Sequence, residues 1–183
     1  YMYTSGQVHG NGTNSTIKGV VDTWYNNNLS MYASKIATGG GATFCNDRTP
    51  YSGSGIGTEE TDYAPYKRVQ AKQGLTFKCT NASDRFGTAI GLITADEVAY
   101  AGGVVGTNNT GYYLYTNQYY WTLSPWFFNG SYARVFVVDS DGWLNGNYVN
   151  STRGVRPVIN LKADTTFADG GKGTSSNPYV LTN

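Results

Sequence analysis

Three segments in the second half of the chain, rich in aromatic and β-branched residues, constrain its fold more than any other feature. They are residues 119–125, 131–142 and 154–161, and each is bounded by Gly, Pro, Asn or Asp. Segments of this composition between turn residues are typical of β-strands. The sequence therefore predicts three strands here, joined by connections at residues 126–130 and 143–153.

The two connections contain many Trp, Phe, Tyr, Asn, Ser and Arg residues. Rigid aromatics provide contact area at low entropic cost and Asn and Ser provide adaptable hydrogen bonds, so this composition is typical of binding surfaces. Side chains alternate along a strand, and if Ala133 and Val135 point into the core, then Tyr132 and Arg134 point to solvent. We therefore expect the connections and these outward side chains to form one binding face.

Exposure in the folded chain tests this binding face. We expect at least three of five side chains to be largely exposed on one side, because such an aromatic group exceeds what a monomer usually shows without a partner. The five are Trp126, Tyr132, Arg134, Trp143 and Tyr148. The alternative is that Phe127, Phe128 and Trp143 cover a second small core.

The composition suits one extracellular domain. A chain of 183 residues with 39% apolar residues can bury one good core, so we expect residues 1–183 to form a single domain. Its 24 glycines, 16 tyrosines and 14% charged residues favour a turn-rich extracellular protein. A net charge of +1 argues against a nucleic-acid partner, and the lack of a long apolar stretch argues against direct membrane insertion. Because the chain begins at Tyr1 rather than Met, we expect the C-terminal part of a longer surface protein.

The residues that could carry out catalysis lack partners in the sequence. Cys45 and Cys79 lie neither in a CxxC motif nor near His9, which leaves a disulfide or two buried thiols. The extracellular composition favours the disulfide. His9 lies in a Gly/Asn loop and is expected to be solvated. We expect no enzyme activity, no cofactor and no metal.

Acidic residues that could suggest catalysis have simpler explanations. The group at residues 59–62 lies on a predicted surface loop over residues 46–64, where paired carboxylates are usually solvated. Asp96 and Glu97 are explained by the helix dipole and a cap. The motif at residues 139–142 is interpreted as a tight hairpin turn, because no Glu follows at the EF-hand distance.

Two helices are predicted from local patterns. Apolar residues at helical spacing predict a helix over residues 17–26, and Trp24 continues their stripe into the core. Thr94 and Glu97 have the spacing of a capping box, which predicts a second helix over residues 95–101.

Shorter patterns predict further strands and a structural role for Arg156. Alternating apolar residues predict strands at residues 75–79 and 89–93, and residues 1–4 are interpreted as the end of another strand. Arg156 lies within an apolar strand pattern. It is expected to be partly buried and paired with carbonyls or a carboxylate, because an unpaired buried charge is costly.

The order of these elements and their motifs resembles the C-type-lectin fold of bacterial and phage surface proteins. This group includes formylglycine-generating-enzyme-like modules and the variable proteins of diversity-generating retroelements. The resemblance covers about residues 75–181, and its motifs are Leu92-Ile93-Thr94-Ala95-Asp96-Glu97, Tyr120-Trp121-Thr122-Leu123-Ser124-Pro125, Ala133-Arg134-Val135, Gly142, Gly154-Val155-Arg156-Pro157-Val158 and residues 173–181. It implies an α+β fold with two short helices packed on a small, mainly antiparallel sheet.

The resemblance also implies roles for individual residues. The implied scaffold residues are Trp121, Ser124, Pro125, Ala133, Val135, Gly142, Leu144, Gly154, Val155, Arg156 and Pro157. The implied solvent-facing ligand residues are Trp126, Phe127, Asn129, Ser131, Tyr132, Arg134, Asp139, Asp141, Trp143, Asn145, Asn147, Tyr148, Asn150 and Arg153. The Glu-Pro-Asn and Trp-Asn-Asp calcium motifs of animal lectins are missing.

Two classes of function follow from the resemblance. The first is a module displayed on the cell surface, of adhesin, pilus or phage receptor-binding type, possessing an exposed face that recognises a protein or glycan on another cell or host surface. Diversification by a retroelement is part of this hypothesis. The second is an enzyme of the formylglycine-generating-enzyme-like type, which would need a reactive cysteine or a metal.

Overall fold

The computed structural model describes residues 6, 8–10, 14–71 and 74–182 as an α+β fold with a mainly antiparallel sheet, as predicted. Its helices and strands are α1 (Thr16–Asn28), β1 (Phe44–Cys45), β2 (Pro50–Ser52), β3 (Thr61–Tyr63), α2 (Ala64–Ala71), β4 (Arg85–Phe86), β5 (Gly91–Leu92), α3 (Ala95–Tyr100), β6 (Tyr120–Phe128), β7 (Ala133–Val138), β8 (Leu144–Tyr148) and β9 (Pro157–Val158). The main sheet has the order β2-β3-β6-β7-β8, with antiparallel neighbours. β1–β4 and β5–β9 form two-stranded pairs. The predicted strand end at residues 1–4 lies outside the described residues.

The three longest strands, β6, β7 and β8, follow one another in the chain and pair as neighbours. Strands were predicted in this region, but their boundaries differ, since β6 continues to Phe128 and β8 lies inside the predicted connection 143–153. The pattern of β8 was obscured by Gly146. A Cβ at that position would lie 2.0 Å from Cε3 of Trp126, so this strand needs a glycine to accommodate the indole.

Apolar side chains cover both faces of β6 and β7. One core contains the buried residues Val69, Ala95, Val98, Tyr112, Tyr120, Phe136, Val138 and Leu144. The other contains Val21, Ile90, Leu92, Trp121 and Val137. Alternation along β7 thus sends Phe136 to the α2/α3 side and Val137 to the α1 side. The prediction that one face of β7 points to solvent is therefore wrong for most of the strand.

Helix α1 is confirmed, but its buried stripe differs from the predicted one. The Ser15 side chain accepts a hydrogen bond from the backbone N–H of Lys18 (3.3 Å) and caps the helix. Val21 is buried, and Ile17 and Tyr25 pack against the same core. Trp24 is 44% exposed, so the prediction that it lies in the core is wrong. Positions four apart, 17, 21 and 25, face the sheet. Trp24 lies about 60° around the helix from the middle of this stripe, at its edge.

Helix α3 is confirmed together with its cap. The Thr94 hydroxyl accepts a hydrogen bond from the Glu97 N–H (3.2 Å), and the Glu97 carboxylate accepts one from the Thr94 N–H (2.8 Å). This reciprocal pair satisfies two backbone donors that the helix leaves free.

The region between the two predicted helices contains most of the errors. The predicted loop over residues 46–64 contains β2, β3 and the start of α2. The predicted strand 75–79 is irregular, and of 89–93 only Gly91–Leu92 forms a strand. These strands have two or three residues, so no alternating pattern has room to develop.

Two smaller predictions are confirmed. Cys45 and Cys79 form a disulfide, with their Cα atoms 5.5 Å apart, which excludes two buried thiols. Residues 139–142 form a tight hairpin turn, in which the Asp139 N–H donates to the carbonyl of Trp143 (2.8 Å). Gly142 has a φ of +80°, which favours glycine at this position. Among the described residues, no helix is long and apolar enough to cross a membrane.

Candidate functional site

Three connections meet at one end of the main sheet. The β6–β7 hairpin lies beside the β2–β3 connection, since a Cβ on Gly130 would lie 3.2 Å from the carbonyl oxygen of Thr58. The segment after β8 starts at the same end, because the Val149 N–H donates to the Ala133 carbonyl (3.1 Å). We call the side chains presented here the tip surface. It is defined by Phe127, Asn129, Ser131, Tyr132, Arg134, Tyr148 and Asn150.

Arg134 lies at the centre of the tip surface, between two aromatic rings. Its cross-strand neighbours are Phe127 on β6 and Tyr148 on β8. The guanidinium carbon lies 5.3 Å from the ring centre of Phe127 and 4.2 Å from that of Tyr148. Its buried Nε has no hydrogen-bond partner, and no carboxylate among the described residues forms an ion pair with it. The positive charge of Arg134 is therefore stabilised by cation–π contacts with these two rings, without an ion pair.

Two tyrosines form the exposed part of the tip surface. Tyr132 is 56% exposed and Tyr148 is 37% exposed, and their rings meet edge to face at 5.6 Å. Asn129, Ser131 and Asn150 are exposed beside them. The side-chain Oδ1 of Asn129 accepts hydrogen bonds from the backbone N–H groups of Ser131 (3.2 Å) and Tyr132 (2.8 Å), which fixes the hairpin.

The exposure expected of the binding face is not reached. Of the five side chains chosen to test it, Tyr132 and Tyr148 are exposed, whereas Arg134, Trp143 and Trp126 are half-buried.

Trp126 belongs to the core, so the prediction that it points to solvent is wrong. Its ring stacks between those of Tyr66 (4.9 Å) and Phe136 (4.6 Å). The β6–β7 register shifts between Pro125 and Phe127, and such a bulge turns two successive side chains toward one face. Trp126 therefore supports the tip surface from beneath.

Four predicted ligand residues lie around the β7–β8 turn, at the other end of these strands. Asp139 is buried, contrary to the prediction, and its Oδ2 accepts a hydrogen bond from Asn145 (3.1 Å). Asp141 accepts one from the Trp143 N–H (3.2 Å). Burial raises the pKa of Asp139; the Asn145 hydrogen bond and Arg153 oppose this rise, and Asp141 adds to it. These residues build the turn.

The last two predicted ligand residues also lie away from the tip surface. Asn147 accepts a hydrogen bond from the Ser151 hydroxyl (3.0 Å) and lies opposite Val135, on the α1 side of the sheet. Arg153 lies over the ring of Tyr119, with its guanidinium carbon 5.1 Å from the ring centre. The fourteen predicted residues therefore do not form one surface.

Comparison with known proteins places the chain in a family. Residues 69–163 match the family described as "Domain of unknown function (DUF6273)", and the match covers slightly more than half of the chain. The chain belongs to the DUF6273 family. The matched region contains β6, β7 and β8 and therefore the whole tip surface. No match was found among curated proteins or among solved structures.

An ion-pair network centred on Arg68 was missed in the sequence. Arg68 donates from Nε and Nη2 to the two carboxylate oxygens of Asp96 (2.9 and 3.0 Å) and from Nη1 to Asp47 (2.8 Å). The Thr76 N–H also donates to Asp96 (3.2 Å). Asp96 thus joins α3 to α2 and does more than favour the helix dipole. No local pattern reveals this network, because its members are 21 and 28 positions apart.

His9 is buried, so the prediction that it is solvated is wrong. It is 1% exposed, with Nδ1 2.7 Å from the Tyr63 hydroxyl and Nε2 2.7 Å from the carbonyl oxygen of Gly57. Its ring meets that of Phe128 edge to face at 4.5 Å. His9 therefore ties its segment to the β2–β3 connection beside the tip surface. Within the described part of the chain, no three His, Cys, Asp or Glu side chains are grouped to hold a metal.

Proposed function

We propose that this chain is an extracellular ligand-binding module, of adhesin, pilus or phage receptor-binding type, which recognises a protein or glycan through the tip surface. The observation that carries the proposal is Arg134, a guanidinium without a carboxylate partner held between Phe127 and Tyr148, beside the exposed Tyr132.

Binding through Arg134 and the tyrosines beside it would lose little conformational entropy. Arg and Tyr are common hot spots in interfaces, because each combines a large contact area with hydrogen-bonding groups. The two rings restrict the Arg134 side chain before a ligand arrives, so less rotamer freedom is lost on binding. An incoming carbonyl, hydroxyl or carboxylate could accept its unused hydrogen bonds.

The finer architecture and the cellular context are part of the proposal. We place the fold in the C-type-lectin-like group because helices flank an antiparallel sheet and the connections at one end present the ligand residues. The disulfide is compatible with an oxidising, extracellular compartment. An adjacent reverse transcriptase gene and an adenine-rich template repeat would support diversification by a retroelement.

The enzyme alternative gains no support from the cysteines. A formylglycine-generating type of oxidase needs reactive thiols, and both cysteines of the chain are joined in the disulfide.

The test compares tyrosines inside and outside the tip surface. The wild-type protein is applied to arrays of glycans and of purified extracellular proteins, and the best ligand is titrated against Tyr132→Ser/Tyr148→Ser. We expect at least about a tenfold loss of affinity, the usual effect of removing a hot spot. The control is Tyr32→Ser/Tyr113→Ser, which removes two exposed tyrosines elsewhere (51% and 79% exposed). Equal affinities of the two double variants would refute the tip surface.

A further inference from the structure

A groove lies at the opposite end of β6 and β7 from the tip surface. It runs between residues 116–120 and 152–156. The two segments are joined by hydrogen bonds from the Gly154 N–H to the Tyr119 carbonyl (3.0 Å) and from the Trp121 N–H to the Gly154 carbonyl (3.1 Å). A Cβ on Gly154 would lie 2.4 Å from that Tyr119 oxygen, so the close approach requires glycine. We call it the arginine groove.

Two arginines line the arginine groove, each over an aromatic ring. The guanidinium carbon of Arg153 lies 5.1 Å from the ring centre of Tyr119, and that of Arg156 lies 5.4 Å from that of Tyr120. Neither forms an ion pair with a carboxylate in the described part of the chain. The buried Nε of Arg153 has no hydrogen-bond partner. Positive charge is therefore concentrated here without direct neutralisation.

Arg156 is fixed in place before any ligand binds. It is half-buried and donates to the carbonyl of Leu114 (2.6 Å), as its position in an apolar segment predicted. The Tyr120 hydroxyl donates to the same carbonyl (3.2 Å). One Nη group of Arg156 is thereby committed to the scaffold, and the planar fork has further donors for a ligand.

The rest of the groove offers a ring face and neutral polar groups. Tyr119 is 39% exposed. Thr116, Gln118 and Thr152 line the groove and are exposed. Their hydroxyl and amide groups can both donate and accept hydrogen bonds, which suits a ligand with several hydroxyl groups.

We infer that the arginine groove binds a carboxylated sugar, such as a uronic or sialic acid residue. Its carboxylate would accept hydrogen bonds from Arg153 and Arg156, its hydroxyl groups would contact Thr152 and Gln118, and its ring would lie against Tyr119. Guanidinium groups bind carboxylates through paired, charge-assisted hydrogen bonds.

The first experiment locates binding on the wild-type protein. Amide NMR spectra of the ¹⁵N-labelled chain are recorded during titration with sodium glucuronate, glucose and acetate. Glucuronate should give saturable shifts at residues 116–120 and 152–156 and bind at least about tenfold more tightly than glucose, since hydrogen bonds to a charged group contribute about 1.5–3 kcal/mol. Equal binding of glucose, or no glucuronate shifts in these segments, overturns the proposal. If acetate binds as tightly as glucuronate, the groove recognises only the carboxylate, and the proposal that its ligand is a sugar is wrong.

The second experiment assigns the carboxylate contact to Arg153. Arg153→Gln should weaken glucuronate binding at least about tenfold, and Arg153→Lys should restore only part of it because lysine lacks the fork. Thr152→Val, which keeps both arginines, should reduce the preference for glucuronate over acetate. The tip variant Tyr132→Ser/Tyr148→Ser should bind glucuronate as wild type does. The proposal for the arginine groove is thereby tested independently of the proposal for the tip surface. Unchanged binding by both Arg153→Gln and Thr152→Val would overturn the proposal.

Discussion

At the scale of single residues, Asp139 is a carboxylate whose burial costs stability. It is 8% exposed, and its Oδ1 has no hydrogen-bond partner. Burial raises its pKa above the ordinary value of 3.8, so the folded chain holds this proton to a higher pH than the unfolded chain does. The ionised form therefore destabilises the fold above the raised pKa. This cost disappears as the pH falls through that pKa toward 3.8.

Asp139→Asn should consequently be more stable than wild type at pH 7. The difference in the free energy of unfolding should shrink as the pH falls toward 3.8, where wild-type Asp139 is protonated as well. Urea unfolding at a series of pH values measures it. The control Asp169→Asn removes the same charge from an exposed site and should show no such trend. A wild type more stable than Asp139→Asn at neutral pH would contradict this.

The buried charge of Asp96, unlike that of Asp139, stabilises the fold, because it is paired with Arg68. Asp96→Asn removes the ionised partner of Arg68 and should lower the free energy of unfolding by about 3 kcal/mol, typical of breaking a buried ion pair. The control is Asp22→Asn, which breaks the half-exposed Lys18–Asp22 pair on α1 and should cost less than about 0.5 kcal/mol. Chemical denaturation compares them. Similar losses in both variants would mean that the Arg68 network contributes little.

The candidate site was predictable in composition but not in geometry. The aromatic and Asn-rich stretch did include Tyr132, Arg134 and Tyr148. Trp126 and Asp139 were misplaced, because a strand pattern does not reveal a bulge or a second covered face.

At the scale of elements, α1 carries a small buried apolar side chain, Val21, and a larger, half-exposed one, Trp24. Val21→Ala should cost about 2 kcal/mol, since it removes buried methyl groups from the core. Trp24→Ala should cost less than about 1 kcal/mol, although tryptophan is larger, because a half-exposed ring loses little burial. Thermal unfolding monitored by circular dichroism compares them. A larger loss for Trp24→Ala would restore the predicted stripe.

Elements with their own local signals were predictable. α1 has a cap and helical periodicity, and α3 has a capping box. β2 and β3 were missed because they have only three residues each. α2 was missed because Arg68 holds it to two aspartates that are distant in the sequence. Tertiary contacts override weak local propensity in such cases.

At the scale of the whole molecule, the disulfide closes a loop that contains β2, β3 and α2. For a sequence separation of 34, the chain-entropy model gives a stabilisation of about 3–4 kcal/mol. Cys45→Ser/Cys79→Ser should lose this amount in urea unfolding. The denatured but unreduced wild type should show no free thiols on titration. Detection of two thiols would contradict the disulfide and revive the enzyme alternative.

The same covalent loop determines how the chain would respond to tension. If the molecule were pulled from its two ends, force would pass through the sulfur atoms, and the residues between Cys45 and Cys79 would carry none of it. The oxidised chain should extend about 110 Å less than the reduced chain, because a separation of 34 residues spans that length when fully stretched. Single-molecule pulling with and without reductant measures the difference. Under such tension the oxidised chain would unravel outside the loop, while β2, β3 and α2 stayed within it.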